Sequence, residues 1–289
     1  MVAMPAIKKV VIPVAGFGTR FLPATKASPK EMLPVVDKPI LQYIVEEAVA
    51  SGVEDVIIVT NFQKRAAEDH FDRLPELERW LEEQGKTEAL AEVRRIAELA
   101  NFIYIRQKGP YGNGTPVLNV KHLVGSEPFA YIYGDDLVVG ETPRLKQLVD
   151  VYERYGDPVL TAYEVDDEGT NRYGIIDGSE VEPGVVQVKS IVEKPGPAAA
   201  PSRLASLGGY VLTSDIFEAL EQTSLGRNGE LWLVDALEKL RQRRPIYARK
   251  VSGTYYDVGS KLGWLEANVA LALQHPELRE SFARYLKTL

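Results

Sequence analysis

The sequence predicts an α/β fold: a Rossmann-like, mostly parallel sheet flanked by helices, with a smaller antiparallel extension and C-terminal helices. Three observations predict it. In the first half, short β-rich runs alternate with helical stretches, the pattern of parallel strands joined by right-handed crossovers. Beyond about residue 165 the strand runs shorten and their turns draw closer, as antiparallel neighbours allow. The segment Lys261–Leu289 then reads as two helices broken near His275-Pro276. At 289 residues the chain exceeds the commonest domain size, yet open α/β sheets of this length often remain one domain. Residues 1–289 are therefore read as one domain, with halves of about 7–165 and 166–260 followed by helices over 261–289.

The strand candidates of the first half are Lys9–Val14, Asp55–Thr60, Phe102–Arg106, Phe129–Tyr133 and Val159–Val165, rich in β-branched and aromatic residues. Pro39–Ser51 is a crossover helix: Pro39 suits a helix start, apolar residues recur at helical spacing, and Gly52 supplies the stop. From Glu76 to Leu99 the chain is highly charged, with Leu77, Trp80, Leu81, Leu90, Val93 and Ile96 at near-helical intervals. One or two amphipathic helices are expected there, interrupted near Gly85, as an insertion suited to oligomer contact. In the second half Tyr173–Ile176, Val185–Val192 and Gly209–Thr213 are strand candidates, and the Pro- and Ala-rich Gly196–Ser202 is a surface loop.

Composition narrows the function. Hydrophobic residues make up 45% and charged residues 26%, enough apolar material for a sizeable core. No apolar run approaches the roughly 18–20 residues needed to span a bilayer, and Met1–Ile7 lacks the charged-then-apolar layout of a secretory leader. A cytoplasmic protein with no membrane partner is expected. Cysteine is absent and there are three histidines, which excludes disulfides, thiolate metal sites and cysteine nucleophiles. Any metal must sit on oxygen ligands. A net charge of -7 argues against nucleic acid as the main partner, since binding its backbone needs an electropositive surface.

Chemistry gathers where the expected strands end. Lys9–Val14 runs into Ala15-Gly16-Phe17-Gly18-Thr19-Arg20, followed by Lys26 and Lys30. A glycine-rich turn at the carboxyl end of a parallel strand lets main-chain N–H groups approach phosphate, and the cations then neutralise it. An isolated Gly-x-Gly is more often an ordinary tight turn, so the motif alone leaves both readings open. A dinucleotide fingerprint would have glycine at Phe21, and a P-loop would have Gly-Lys-Ser or Gly-Lys-Thr; neither is present.

Phe129–Tyr133 ends in Gly134-Asp135-Asp136, and a further carboxylate, Asp257, lies in Tyr255-Tyr256-Asp257-Val258-Gly259. Such oxygens suit octahedral Mg²⁺, while a strand-end Asp-Asp can equally be a turn or a helix cap. Arg106-Gln107-Lys108-Gly109-Pro110-Tyr111-Gly112-Asn113-Gly114 follows the third strand. A glutamine amide can donate to and accept from a pyrimidine edge, and glycine lets a flat ring lie against backbone; a plain surface turn has the same composition. Glu193-Lys194-Pro195 offers a carboxylate for sugar hydroxyls and an ammonium for phosphate, or simply an exposed ion pair.

The run from Gly16-Phe17-Gly18-Thr19-Arg20 through Lys26-Ala27-Ser28-Pro29-Lys30-Glu31-Met32-Leu33-Pro34 to Lys38-Pro39 closely resembles the signature of the bacterial UTP–glucose-1-phosphate uridylyltransferase (UDP-glucose pyrophosphorylase) family. The resemblance extends over nearly the whole chain and implies a nucleotide-diphospho-sugar transferase type of fold, with a nucleotide-binding first half and a sugar-binding second half. It implies that Arg20 and Lys30 act at the triphosphate, with Lys194 holding the sugar phosphate. Ala15, Gly16, Gly18, Thr19, Lys26 and Glu31 would lie around the nucleotide, with Gln107 and Gly112 at its base. Gly-Asp-Asp and Tyr-Asp-Val-Gly-x-Lys match the family's metal-binding stretches, implying Asp135 and Asp257 as the Mg²⁺ pair and Asp136 in support. Gly174, Glu193, Lys194 and Gly208 would form the sugar side.

The implied reaction joins UTP to glucose 1-phosphate, giving UDP-glucose and pyrophosphate, in a homodimer or homotetramer. Two departures bear on substrate identity. The family's Gly-Leu-Gly-His-Ala is here Gly112-Asn113-Gly114-Thr115-Pro116, and its Gly-Glu-Ile-Gln-Leu-Thr-Asp-Ala is Gly229-Glu230-Leu231-Trp232-Leu233-Val234-Asp235-Ala236. The alternatives are dTTP or another hexose 1-phosphate in the same reaction, or a non-catalytic regulatory subunit that binds nucleotide sugar. Retention of Arg20, Lys30, Asp135 and Asp257 counts against the last.

Overall fold

The computed structural model describes residues 4–289; residues 1–3, part of the Met1–Ile7 segment considered above, lie outside the described residues. The strands are β1 (Lys9–Pro13), β2 (Pro34–Val35), β3 (Lys38–Pro39), β4 (Asp55–Thr60), β5 (Asn101–Arg106), β6 (Phe129–Tyr131), β7 (Asp136–Val139), β8 (Val159–Glu164), β9 (Gly174–Glu182), β10 (Val185–Glu193), β11 (Leu204–Leu212), β12 (Tyr247–Lys250) and β13 (Thr254–Asp257). Nine of them form one sheet in the order β5-β4-β1-β6-β11-β8-β12-β10-β9, while β7 pairs with β13 and β2 with β3.

Strand side chains alternate between faces, and here both faces are apolar. Val10 and Ile12 of β1 join one core together with Val56 and Ile58 of β4, whereas Val11, Ile57 and Val59 join the other. Strands of this kind must be covered on both sides. Leu41 and Ile44 of the helix Ile40–Ala50 and Leu145 and Leu148 of the helix Arg144–Tyr155 close the first core. Phe217 and Leu220 of Ile216–Glu221, with Ala236 and Leu237 of Leu233–Arg241, close the second.

Strands β5, β4, β1 and β6 run parallel, so their carboxyl ends share one edge. β11 enters next to β6 and is antiparallel to both β6 and β8. The antiparallel extension therefore continues the main sheet instead of lying over it. The expected strand Gly209–Thr213 is only the second part of β11, which begins at Leu204. Its register shifts between Leu207 and Tyr210, so Gly208 and Gly209 form a bulge inside the strand. The strand expected to reach Tyr133 ends at Tyr131, because the chain turns away there to begin β7, whose partner β13 lies far along the sequence. The charged insertion is two helices, Pro75–Glu83 and Thr87–Ala97, separated at Gly85 with φ 66°. The C-terminal segment is likewise two helices, Lys261–Ala272 and Arg279–Leu286. Among the described residues no helix is long and apolar enough to cross a membrane.

One buried ion pair ties the two helices of the first core to the bulge. Arg144 is fully buried; its Nε and Nη2 donate to the two Glu47 carboxylate oxygens at 3.1 and 3.0 Å, and its Nη1 donates to the Gly208 carbonyl at 2.5 Å. The Leu145 N–H also donates to Glu47 at 3.0 Å, which places a carboxylate at the start of the helix Arg144–Tyr155, where the helix dipole favours it. Substituting Arg144→Met leaves the Glu47 charge buried without a partner and is expected to lower unfolding stability by about 3–5 kcal/mol. Urea unfolding of the variant measures this; a midpoint within error of the parent would show that Glu47 finds water or another partner.

Candidate active site

The glycine-rich loop leaves β1 at the shared carboxyl edge and is pinned there. The Val14 N–H donates to the Val59 carbonyl at 2.8 Å, and Asn61 Nδ2 donates to the Ala15 carbonyl at 2.7 Å. Gly18 adopts φ 66°, its carbonyl accepts from Thr25 Oγ1 at 2.7 Å, and an ideal Cβ on it would stand 3.2 Å from Lys30 Cβ. Glycine thus lets Lys30 fold back beneath the loop, where its Nζ meets Asp135 Oδ2 at 2.5 Å. Burial works against the charged form of Lys30, but the Asp135 and Glu31 carboxylates outweigh it and raise its pKa above the ordinary lysine value. Lys30 is a held cation.

Two cavities open on either side of this pair. One, of about 260 Å³, is lined by Ala15, Gly16, Lys30, Glu31, Gln107, Gly112, Asn113 and Asp135 among others. The second, of about 570 Å³, is lined by Arg20, Asp135, Asp136, Tyr173, Lys194, Gly208, Tyr255 and Asp257 among others. Tyr133 and Asp135 belong to both. In the first, Gln107 follows the end of β5, held by its N–H on the Thr60 carbonyl at 2.8 Å. Gly112 has φ 116°, and an ideal Cβ there would lie 2.2 Å from the Leu231 carbonyl oxygen, so no side chain fits. The floor holds Glu31, which is buried and accepts from Lys64 Nζ at 2.9 Å; burial raises its pKa, against the pull of Lys64 and Lys30.

In the second cavity the β7–β13 ribbon sets Asp257 opposite Asp136, one residue from Asp135. An ideal Cβ on Gly259 would stand 2.4 Å from Asp135 Oδ2 and 3.2 Å from Asp257 Oδ1, so both carboxylates converge on the same small space. Burial raises the Asp257 pKa, with Asp135 adding to it and Arg20 opposing. Arg20 Nη1 reaches the Gly259 carbonyl at 3.5 Å, which brings its guanidinium to the rim of the acidic pair. Two protein carboxylates beside an open cavity fit a hard divalent cation, which commonly takes one or two such ligands together with phosphate oxygens. Among the described residues no three or more His, Asp or Glu gather as a metal cluster, so ligand phosphates would have to complete the shell.

Asp136 points elsewhere. Its Oδ2 accepts from the Gly208 N–H at 2.7 Å and its Oδ1 from the Tyr255 hydroxyl at 2.9 Å. Burial pushes this carboxyl up to about 7, with Asp135 adding to the rise and Arg144 opposing it. Asp136 therefore fixes one side of the Gly208 bulge while Arg144 fixes the other through the Gly208 carbonyl.

The structure brings Ala15, Gly16, Arg20, Lys30, Glu31, Gln107, Gly112, Asp135, Lys194, Gly208 and Asp257 to these two cavities. Gly18 and Thr19 shape the loop between them without lining either, and Lys26 lines neither. Glu193 ends β10 and Lys194 follows it; the Lys194 N–H donates to the Tyr173 carbonyl at 3.2 Å, and the Lys194 ammonium lies 3.4 Å from Glu193. Glu193 faces a separate cavity with Val234 and Asp235, although its Oε2 leans over Gly174, 3.2 Å from an ideal Cβ there. Tyr173, expected beside Gly174 on the sugar side, lines the second cavity, whereas sequence reasoning missed Tyr133, Tyr255 and Arg144 and saw Asn113 only as a departure from the family signature. Tyr133 and Tyr255 were each two residues from a singled-out aspartate on an expected or actual strand, so period-two alternation was the available signal.

The sequence pattern of the nucleotidyl transferase family matches residues 9–274. The chain belongs to this family. A UTP–glucose-1-phosphate uridylyltransferase of Bacillus subtilis (strain 168) is 52% identical over 281 residues, 97% of this chain and 95% of the relative. A UDP-glucose pyrophosphorylase solved with UDP-glucose is 44% identical, covers 93% of this chain and 100% of its own, and superposes with a TM-score of 0.84. A UTP-bound enzyme of the same kind from Acinetobacter baumannii is 39% identical over 98% of this chain and 99% of its own, with a TM-score of 0.92.

The Gly208 bulge offers a direct test of this packing. An ideal Cβ at Gly208 would lie 2.1 Å from Tyr133 Cδ2 and 2.3 Å from Asp136 Oδ2, inside any real contact distance. Gly208→Ala is expected to lose about 1–3 kcal/mol of stability, as overpacked buried sites do. An unchanged denaturation midpoint would mean that ring and carboxylate move aside freely.

Proposed function

We propose that this chain transfers a uridylyl group from UTP to glucose 1-phosphate, releasing UDP-glucose and pyrophosphate. The observation that carries the reading is the Lys30–Asp135 pair at the seam between two cavities, with Asp257 and Arg20 converging on it, in a member of the nucleotidyl transferase family. The uridylyltransferase name of a relative at 52% identity and the UTP- and UDP-glucose-bound neighbours support the choice of substrates.

The uracil would lie against Gly112, where the absent side chain leaves room, with Gln107 offering an amide to its polar edge. The triphosphate would follow the Ala15–Gly18 backbone toward Arg20 and Lys30. Glucose 1-phosphate would enter the larger cavity, its phosphate toward Lys194 and its ring against the Gly208 bulge. A phosphate oxygen of the sugar attacks the α-phosphorus in line; the new P–O bond forms as the bond to the β-phosphate oxygen breaks, and pyrophosphate leaves with the electron pair. The attacking oxygen is already anionic near neutral pH, so no protein base is required, and the residues act by alignment and charge stabilisation. Mg²⁺ held by Asp135 and Asp257 would neutralise phosphate charge when bound. Lys26, Thr19 and Gly18 then act by shaping or flanking the phosphate loop, Glu31 by anchoring its floor, and Glu193 and Gly174 by bounding the sugar from β10 and β9.

One sheet runs through both halves, which supports treating residues 1–289 as a single domain. We place the reaction in the cytoplasm, where nucleoside triphosphates are supplied. The exposed Leu262, Leu265, Val269 and Leu273 form an apolar stripe on the helix Lys261–Ala272 and its end, which supports a homodimer or homotetramer.

Pyrophosphate release from each common nucleoside triphosphate with several hexose 1-phosphates tests the assignment. UTP with glucose 1-phosphate is expected to give the highest kcat/KM; an excess of tenfold or more for dTTP or another sugar would overturn the substrates and leave the reaction class standing. Lys30→Ala is expected to lower kcat by at least about a hundredfold with a smaller change in UTP binding, since a cation aimed at developing charge acts in the transition state. Unchanged turnover in the folded variant would remove Lys30 from the reacting groups.

A further inference from the structure

We propose that Asn113, on the base-side loop, is a positioning residue for the sugar side: it holds Tyr133, the wall that the two cavities share. The inference rests on the uridylyl-transfer reading for its assay. Asn113 and Leu231–Val234 fall in the two stretches where this chain departs from the family signature, and the structure places those stretches against each other. The Gly114 N–H donates to the Leu231 carbonyl at 2.9 Å, and the Leu231 N–H donates to the Tyr111 carbonyl at 2.8 Å. The Asn113 side chain completes the contact. Its Oδ1 accepts from the Leu233 N–H at 2.8 Å, and its Nδ2 donates to the Tyr133 hydroxyl at 2.6 Å.

The orientation of that amide is forced. A backbone N–H can only donate, so the atom facing Leu233 must be oxygen, and the NH₂ must face Tyr133. The Asn113 carbonyl accepts in addition from the Tyr131 hydroxyl at 2.7 Å, so the tyrosine that ends β6 and the one two residues beyond it are tied to one residue. Tyr133 then transmits the placement. Its ring presses on the Gly208 backbone so closely that an ideal Cβ there would stand 2.1 Å from Cδ2, and Gly208 lines the sugar-side cavity. A leucine at 113, as in the family signature, could make neither side-chain bond. The base platform does not depend on these bonds. Gly112 and Gly114 stay docked on Leu231 through backbone contacts that need no Asn113 side chain.

The test is a double-mutant cycle with Asn113→Ala and Tyr133→Phe, assayed with UTP and glucose 1-phosphate. Each single variant is expected to raise KM for glucose 1-phosphate about fivefold, the worth of one neutral hydrogen bond, with a smaller change in KM for UTP. The double variant is expected to do no worse than Asn113→Ala alone, because Tyr133→Phe removes a bond that Asn113→Ala has already removed. Should Asn113→Ala fold poorly, Asn113→Ser keeps a hydroxyl near the Leu233 N–H but is too short for Tyr133, and is expected to match Tyr133→Phe. Additive effects, or a change confined to UTP, would overturn the inference. An inactive parent protein would instead overturn the uridylyl-transfer reading and this inference with it, whereas an active parent with additive variants overturns this inference alone.

Discussion

Two carboxylates that repel each other are held at the same point, and much of the site follows from that. Asp135 and Asp257 converge on the backbone of Gly259, and burial together with their mutual repulsion raises the Asp257 pKa. Left alone, such a pair would separate or take up a proton. Two features prevent separation. The β7–β13 ladder fixes where Asp257 emerges, and Lys30, folded beneath the glycine-rich loop, neutralises Asp135. Residual negative charge beside a cavity lined by Arg20 and Lys194 then favours a bound divalent cation together with a polyanion.

The support for this arrangement comes from buried polar groups that stand outside the proposed substrate contacts. Asp136, adjacent to a proposed metal ligand, spends both oxygens on the Gly208 N–H and the Tyr255 hydroxyl. Arg144 holds the other side of the same bulge and is itself neutralised by Glu47 from a different helix. The sugar-side backbone is thus clamped between a carboxylate and a guanidinium, each also bonded to a further side chain, Tyr255 and Glu47 respectively. Preorganisation of this kind suits a reaction in which the protein contributes alignment more than covalent chemistry.

The strand-and-helix pattern of the first half was legible because buried parallel strands are near-continuous apolar runs, as in β1 and β4. The glycine-rich loop and the Asp135 stretch could be placed because each follows such a strand at one edge, whereas the roles expected of Lys30 and Gln107 came from the family resemblance, since a plain turn has the same composition. The second half was harder to read. β11 carries two adjacent glycines in its middle, β7 begins within a Gly-Asp-Asp run that also suits a turn, and the partners that justify both lie far along the sequence. The roles of Asp136, Tyr133 and Arg144 depend on those long-range pairings, and no local pattern encodes them. The two departures from the family signature were visible as oddities; only the fold shows that they contact one another through Asn113.

The claim on which the account turns is that Asp135 and Asp257 together form a divalent-cation site completed by a bound triphosphate. Mn²⁺ binding to the folded protein, followed by electron paramagnetic resonance with a non-hydrolysable UTP analogue, measures it directly when repeated for Asp135→Asn and Asp257→Asn. One tightly held ion per chain is expected in the presence of the analogue, with loss of that ion in each variant. Binding in Asp257→Asn indistinguishable from the parent protein would contradict that claim.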